Sequence, residues 1–326
     1  MSGRNIFLDV DTGVDDALAL LLAARSPQLN VKGVTCVAGN VPIDRVVRNT
    51  LDILNVADAS HIPVARGMEF PLVEKMFNAT EIHGENGLGG IDLPASRSTV
   101  IDKHAVEFLA GEIDNTSEKV TIVALGPLTN IATLFRIYPN VVSSIEQLVI
   151  MGGAIGSGNT TATAEFNIRQ DPEAADVVFN MDVPTLLYVW DVFTKVRFDK
   201  QEVDEMIASD NNCKSIAGKL LLSYLTTKKE DTAGIGDAGA VACLLIPEAI
   251  TTAVMPISVE LIGEHTRGQT VFDQRKRKLS RLQPKIQKSI SGMTEVVMDL
   301  DVESFRNAFV DNIVNRVFKF WVISIF

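Results

Sequence analysis

Histidine, cysteine and tryptophan are scarce in this chain, at four, three and two among 326 residues. The cysteines, Cys36, Cys213 and Cys243, are odd in number, far apart and set in apolar surroundings, with no CxxC and no Cys/His cluster. That pattern argues against a disulfide framework or a thiolate metal site and points to reduced core cysteines in a cytoplasmic protein. Positive charge is in deficit too. A net charge of −11 disfavours nucleic acid or an anionic membrane as partner. No apolar run reaches the roughly 18–20 residues that span a bilayer. The N-terminus, MSGRNIFLDV, lacks the apolar stretch and small-residue cleavage site of a signal peptide. The C-terminus, VFKFWVISIF (317–326), is apolar but too short to span, and reads as a last element packed on the body or on a neighbouring subunit. Repeats and low-complexity linkers are absent. At 46% apolar and 22% charged residues, the chain reads as one domain, 1–326, with a sizeable core.

What is present is an alternation. The β-branched run NIFLDV (5–10) precedes a helical pattern at 15–25, and VKGVTCVAG (31–39) precedes another at 43–57. IPVARG (62–67) reads as a strand, VTIVALG (120–126) leads into a helix over 127–139, and IEQLVIMGG (145–153), VPTLLYVW (183–190) and ITTAVMPISVEL (250–261) complete the set. Strand alternating with helix predicts an α/β fold with an open, mostly parallel sheet flanked by helices. Strands that are continuously apolar fit a sheet covered on both faces. Two stretches, 68–100 and 200–235, are polar, charged or glycine-rich, and read as loops or lids over a site. The basic run RKRKLSR (275–281) reads as a solvated face.

The most informative stretch is FLDVDTGVDDALALLLA (7–23), where four aspartates, Asp9, Asp11, Asp15 and Asp16, separate an apolar strand from an apolar helix. Ligands of open parallel sheets sit beyond the carboxyl ends of the strands. One or two aspartates at a helix start are ordinary capping. More than that on one turn repel each other, and a hard cation relieves the repulsion. Oxygen-only ligands suit Ca²⁺ or Mg²⁺. Other strand ends carry further polar residues: Asn40 after the second strand, a kinked backbone at Leu125–Gly126–Pro127, Met151, Asn159, Glu165 and Asn167 on a glycine-rich loop, and Asp237 before an apolar helix.

With these motifs assembled, the chain resembles the nucleoside hydrolase family, of the inosine–uridine preferring type. The resemblance is carried by DVDTGVDDA (9–17), AGN (38–40), HGENGLGG (83–90), ALGPLTNIA (124–132), MGGAIGSGN and AEFNIRQDPEAA (within 151–175) and GDAGAVA (236–242), which span most of the chain in the family's order. It implies Ca²⁺-dependent hydrolysis of the N-glycosidic bond of ribonucleosides, releasing base and ribose for salvage, at the carboxyl ends of the strands. The implied calcium ligands are Asp11, Asp16, the Leu125 carbonyl and Asp237. Asp11 would act as base on a water held by the cation. Asp15, Asn40, Asn159, Glu165 and Asn167 would grip the ribose, with Met151 and Phe166 packed near the sugar, while Asp9 would support the site from behind. A homodimer or homotetramer is implied as well.

One departure bears on the leaving group. Many relatives carry a histidine immediately before the last metal-binding aspartate, and this chain has Gly236 there. His83 is the candidate to replace it, and Tyr224 lies in a segment that approaches the base in relatives. His61 and His104 read as bystanders, His265 as a lesser loop candidate, and Trp190 as core. Two other readings compete. A Mg²⁺-dependent phosphatase of the haloacid-dehalogenase type would use Asp9 as nucleophile and Asp11 as acid/base, and would leave Asp15, Asp16 and the AEFN segment without a role. A non-catalytic ribose or nucleoside binder would keep the cation site without turnover.

Overall fold

The computed structural model of the chain describes residues 3–275 and 293–314. Its first strand, β1 (Arg4–Val10), buries Ile6, Phe7, Leu8 and Val10 completely. Each such side chain contributes about 2 kcal/mol by leaving water. β1 pairs in parallel with β2 (Leu29–Cys36) on one side and with β4 (Val120–Ala124) on the other. β3 (Val64–Arg66) extends the sheet beyond β2; β5 (Ile145–Met151) and β6 (Thr185–Tyr188) extend it beyond β4. Every residue of β4 is buried, as its unbroken apolar run requires.

The sheet gains two strands that the sequence did not announce, one on each side of the expected strand at 250–259. Beyond β6 it takes in β11 (Met293–Leu300), parallel to β6, then β9 (Ile250–Val259) and β10 (Thr270–Phe272), each antiparallel to its neighbour. Among the described residues the order is β10-β9-β11-β6-β5-β4-β1-β2-β3. The chain builds outward from β1 in one direction, then returns and builds from β4 in the other. The crevice between β1 and β4 is therefore a topological switch point, where ligands of such sheets bind.

The helices cover both faces. α1 (Val14–Arg25) is apolar nearly all round, and it packs against α2 (Ile43–Val56), α10 (Asn212–Lys228), α11 (Ala238–Leu245) and α12 (Val302–Val314). α4 (Ala105–Asn115), α5 (Thr129–Ile137) and α7 (Pro172–Phe179) form a second layer. Phe108 of α4 meets Phe7 of β1 edge-on, with ring centroids 6.0 Å apart.

The 68–100 stretch is irregular apart from the short α3 (Thr80–His83), but 200–235 corrects the loop expectation. It folds mainly as α9 (Lys200–Ile207) and α10. Asp199 and Glu202 close a capping box on α9, Asn211 caps α10, and Val203, Met206, Ile216 and Leu220 bury an apolar stripe beneath the charges. A small antiparallel ribbon, β7 (Arg197–Asp199) with β8 (Thr232–Gly234), brackets the pair. The three cysteines are buried and in no disulfide. His104 caps α4, while His61 and His265 are exposed. Of the basic run, Arg275 pairs with Asp273; the remainder and the C-terminal VFKFWVISIF lie outside the described residues. No described helix is long and apolar enough to cross a membrane.

Candidate active site

The ends of β1, β2, β4 and β5 meet over the switch point, and each delivers polar groups. Beyond β1 the chain turns at Thr12–Gly13 into α1. The Asp16 carboxylate accepts the Gly13 N–H at 2.9 Å and the Asp11 N–H at 3.1 Å, so it caps the helix from inside. Its Oδ2 also accepts the Asn40 side-chain amide at 3.1 Å. Asn40, after β2, donates its backbone N–H to Asp11 Oδ2 at 2.7 Å. Among the described residues, Asp11 Oδ1 is buried without a hydrogen-bond partner, as is Asp15 Oδ1.

Asp237, at the start of α11, closes the group. Carboxylate oxygens of Asp15, Asp16 and Asp237 lie within 4.8 Å of one another. Asp15, expected among the ribose contacts, thus joins the acid cluster. Burial drives the Asp11 and Asp237 carboxyls well above the usual range, and repulsion from neighbouring aspartates adds to it. Asp16 rises to about 7, from burial first and Asp15 second. Buried acids with orphaned oxygens are a donor set suited to a hard, oxygen-seeking cation. The Leu125 carbonyl, beyond β4, borders the same cavity and accepts the Asn167 amide at 2.6 Å.

Asp11 depends on close backbone approach. A Cβ at Gly39 would stand 2.1 Å from Asp11 Oδ2 and 2.9 Å from Pro127. Gly39→Ala should therefore push the carboxylate aside and lower turnover by about 100-fold, since a shift near 1 Å costs that much. Steady-state kinetics check this; turnover within about threefold of the parent would show that Asp11 need not sit there.

Asp9 takes no part in the cavity. It is fully buried, and its Oδ1 accepts from Thr35 Oγ1 at 2.5 Å and the Asn130 amide at 2.7 Å. Burial raises its carboxyl to about 7 despite these bonds. A nucleophile cannot act from there, which removes the phosphatase reading.

Above the acids lies a cavity of about 520 Å³. Glu165 is buried at the start of α6 (Phe166–Gln170), where it accepts the N–H groups of Gly153, Asn167 and Ile168, and burial lifts it to about 7. Asn167 also donates to the Met151 carbonyl at 3.2 Å, and Asn159 Oδ1 accepts the Phe166 N–H at 2.8 Å. Asn40, Met151, Asn159, Glu165, Phe166 and Asn167 all line the cavity, together with Asp15 and Asp237.

A family model described as inosine-uridine preferring nucleoside hydrolase matches residues 6–307. The chain belongs to that family. It is 40% identical over 273 residues to the pyrimidine-specific ribonucleoside hydrolase RihA of Escherichia coli O139:H28 (strain E24377A / ETEC), covering 82% of this chain and 88% of the relative. The solved plant nucleoside hydrolase PpNRh1 matches with a TM-score of 0.90 at 27% identity, over 96% of this chain and 99% of that one. A purine-preferring ribonucleoside hydrolase from Gardnerella vaginalis matches with a TM-score of 0.84 at 29% identity, over 95% and 98% of the two chains.

The far end of this nucleoside hydrolase's cavity differs from what the sequence suggested. Gly236 has φ +56°, and a Cβ there would stand 2.5 Å from Asp15 Cβ and 2.9 Å from the tip of Phe193. The position that carries a histidine in many relatives has no room for a side chain. His83, at the end of α3, is buried in the cavity wall. Its Nδ1 accepts the Val14 N–H at 3.1 Å and lies 3.8 Å from Asp15 Oδ1. Tyr224 of α10 meets His83 edge-on at 6.0 Å, and burial holds its phenol well above the ordinary range. Trp190, expected in the core, instead lines the cavity with Phe193, on the short α8 (Trp190–Phe193). Phe77, from the irregular stretch, adds an edge-on contact to Phe166 at 5.4 Å.

The same α8 turn pins the loop that carries Asn159. Asp191 accepts the N–H groups of Ile155 at 2.8 Å and Gly156 at 3.0 Å. Asp191→Ala frees both donors and should raise KM for a ribonucleoside by about 10-fold, the scale of one lost charge-assisted bond. Asp191→Asn keeps one acceptor and should fall between. Equal KM values across the three proteins would show that the loop holds itself.

Proposed function

We propose that the chain hydrolyses the N-glycosidic bond of ribonucleosides to free base and ribose, with Ca²⁺ held by Asp11, Asp16, Asp237 and the Leu125 carbonyl. The observation that carries the reading is the set of carboxylates at the switch point, with Asp11 Oδ1 buried and given no donor by the described residues. Asp15 stands close enough to Asp16 and Asp237 to share the cation or to grip a hydroxyl beside it. When bound, the ion supplies charge neutralisation and Lewis-acid activation of water and of vicinal hydroxyls.

The chain's own residues do the rest. Asp11, its Oδ2 steadied by the Asn40 N–H, offers Oδ1 to take the proton of the attacking water. Asn40, Asn159, Glu165 and Asn167 orient the ribose, and the backbone bonds that Glu165 accepts hold its carboxylate in place. The buried negative groups stabilise positive charge as it grows on the sugar. His83 accepts at Nδ1, so its neutral ring carries the proton on Nε2, from which it can donate to the departing base. The products are those of nucleoside salvage. The relative at 40% identity is named as pyrimidine-specific, which supports a ribonucleoside substrate here.

The test is ribose release from inosine, adenosine, guanosine, uridine and cytidine, and from p-nitrophenyl riboside, whose leaving group needs no acid. Release from the nucleosides is expected. Binding of nucleoside in calorimetry with no release from any substrate over hours would overturn the reading in favour of a non-catalytic binder.

A further inference from the structure

Two of the motifs that mark the chain do more than supply the cavity. ALGPLTNIA contributes the Leu125 carbonyl, and AEFNIRQDPEAA contributes Glu165 and Asn167. Thr129, Asn130, Gln170 and Asp171, from the later halves of these motifs, lie outside the cavity lining and are as buried as the apolar core. Burying polar side chains so deeply costs free energy unless each is bonded. Three of the four bond to the stretch 67–79, between β3 and α3. That stretch has no helix or strand of its own to satisfy its N–H and C=O groups.

The contacts are to main chain. Asn130 Oδ1 accepts the Met68 N–H at 2.8 Å, while its Nδ2 donates to Asp9 Oδ1 at 2.7 Å and to the Cys36 carbonyl at 3.0 Å. A Cβ at Gly67 would stand 2.4 Å from Asn130 Oδ1, so the chain passes as close as glycine permits. Asp171 Oδ2 accepts the Leu72 N–H at 2.9 Å and Thr129 Oγ1 at 2.7 Å, and its Oδ1 caps α7 on the Ala174 N–H at 3.0 Å. Gln170 takes both groups of Phe77: Oε1 accepts its N–H at 3.3 Å, and Nε2 donates to its carbonyl. Side chains thus do for this stretch what a neighbouring strand does for a β-strand. Nearer the surface Glu74 pairs with Arg169 at 3.1 Å, but a partly exposed pair adds little. Beyond Phe77 the chain runs into the site. The Ala79 N–H donates to the Asn40 carbonyl at 2.9 Å, and α3 then ends on His83, whose ring accepts the Val14 N–H.

We propose that Asn130, Gln170 and Asp171 are positioning residues: by holding the main chain at Met68, Leu72 and Phe77, they set where His83 stands beside the departing base. The inference rests on the nucleoside hydrolase reading with His83 as proton donor, and adds to it the residues that place the donor. A hold on main chain leaves the side chains of 67–79 free of this task, and Phe70 and Val73 indeed point to solvent. Gln170 is the informative member, because it caps no helix and does not touch Asp9.

Gln170→Met keeps length and volume and removes both bonds to Phe77. Its kcat on inosine and uridine should fall about 10-fold, the scale of a displacement of about half an ångström. On p-nitrophenyl riboside, whose leaving group needs no acid, kcat should stay within about twofold of the parent. A role confined to supporting α6 would lower both kinds of substrate alike. In a His83→Ala background, adding Gln170→Met should cost nothing further on inosine, since the two act as one unit. A second readout needs no turnover. Lys75 is exposed and is the only lysine or arginine between Arg66 and Arg97. Trypsin should cut there about 10-fold faster in Gln170→Met, relative to cuts elsewhere in the chain. Gln170→Glu keeps an acceptor for the Phe77 N–H and should fall between in both readouts, which serves should the methionine variant fold poorly. Equal losses on nucleoside and riboside, losses that add to those of His83→Ala, or unchanged cutting at Lys75 would overturn the proposal. Its failure is separable from failure of the hydrolase reading. Proteolysis reads the hold on the chain whether or not any bond is hydrolysed, and absence of ribose release from every substrate by the parent concerns the hydrolase reading alone.

Discussion

Asp11→Asn should lower turnover by about a thousandfold and leave the melting temperature unchanged or raised. The two effects share one cause. Asp11 is almost fully buried, one of its oxygens has no partner among the described residues, and its charge is opposed by burial and by Asp16. In the folded protein without a cation that carboxylate is a liability. Asparagine keeps the shape and an oxygen for the Asn40 N–H, and it removes one like charge from the cluster. On the proposed mechanism catalysis loses the proton acceptor and one anionic ligand together. A buried acid whose charge is opposed by its surroundings, hydrogen-bonded through one oxygen to the cavity-lining Asn40, is what a functional carboxylate looks like. Thermal denaturation and kinetics on the same preparation decide the matter. Turnover within about tenfold of the parent would remove Asp11 as the base, and a large fall in melting temperature would mean that its role is to hold the fold.

Chelation should abolish ribose release, and Ca²⁺ should restore it while raising the melting temperature. A ligand that binds only the folded state stabilises it by about 2.7 kcal/mol at a hundred times its Kd, which is several degrees for a chain of this size. Here the gain includes relief of repulsion among Asp11, Asp15, Asp16 and Asp237. Mg²⁺ should restore less, because it demands a tighter octahedron and keeps its waters. Asp237→Ala should remove both the thermal shift and the turnover, since Asp237 makes no capping bond on α11 that would tie it to the fold. Full activity after exhaustive chelation, with no thermal response to any divalent ion, would exclude a cation role for the cluster.

Legibility from sequence followed distance along the chain. The turn from β1 into α1 could be read directly, because strand, glycine turn and acidic helix start are contiguous, and each local preference acts within a few residues. The helices at 200–235 were hidden by charge: the apolar stripe of α9 and α10 is interleaved with lysines and acids, and so resembles a polar loop. Trp190 continues an apolar strand and reads as core, but the chain turns into α8 one residue earlier and swings the ring toward the cavity. β11 falls late in the chain and finds its partners in β6 and β9, on either side, which nothing in its own eight residues specifies.

By itself the sequence determined the α/β alternation, the buried parallel strands and the knot of aspartates at the first strand end, since burial pattern, turn residues and caps are written locally. Only the tertiary structure decided which acids meet. Asp237 joins Asp15 and Asp16 because α11 packs on α1, and Asn40 reaches Asp11 because β2 lies beside β1 in register. The tertiary structure alone also decided that the Phe193 ring lies against Gly236 and that Asp9, two residues from Asp11, faces Thr35 and Asn130 instead of the cavity. Side-chain identity sets what each group can do. Sheet order and helix packing set which groups share a volume small enough for charge repulsion and for a common ligand.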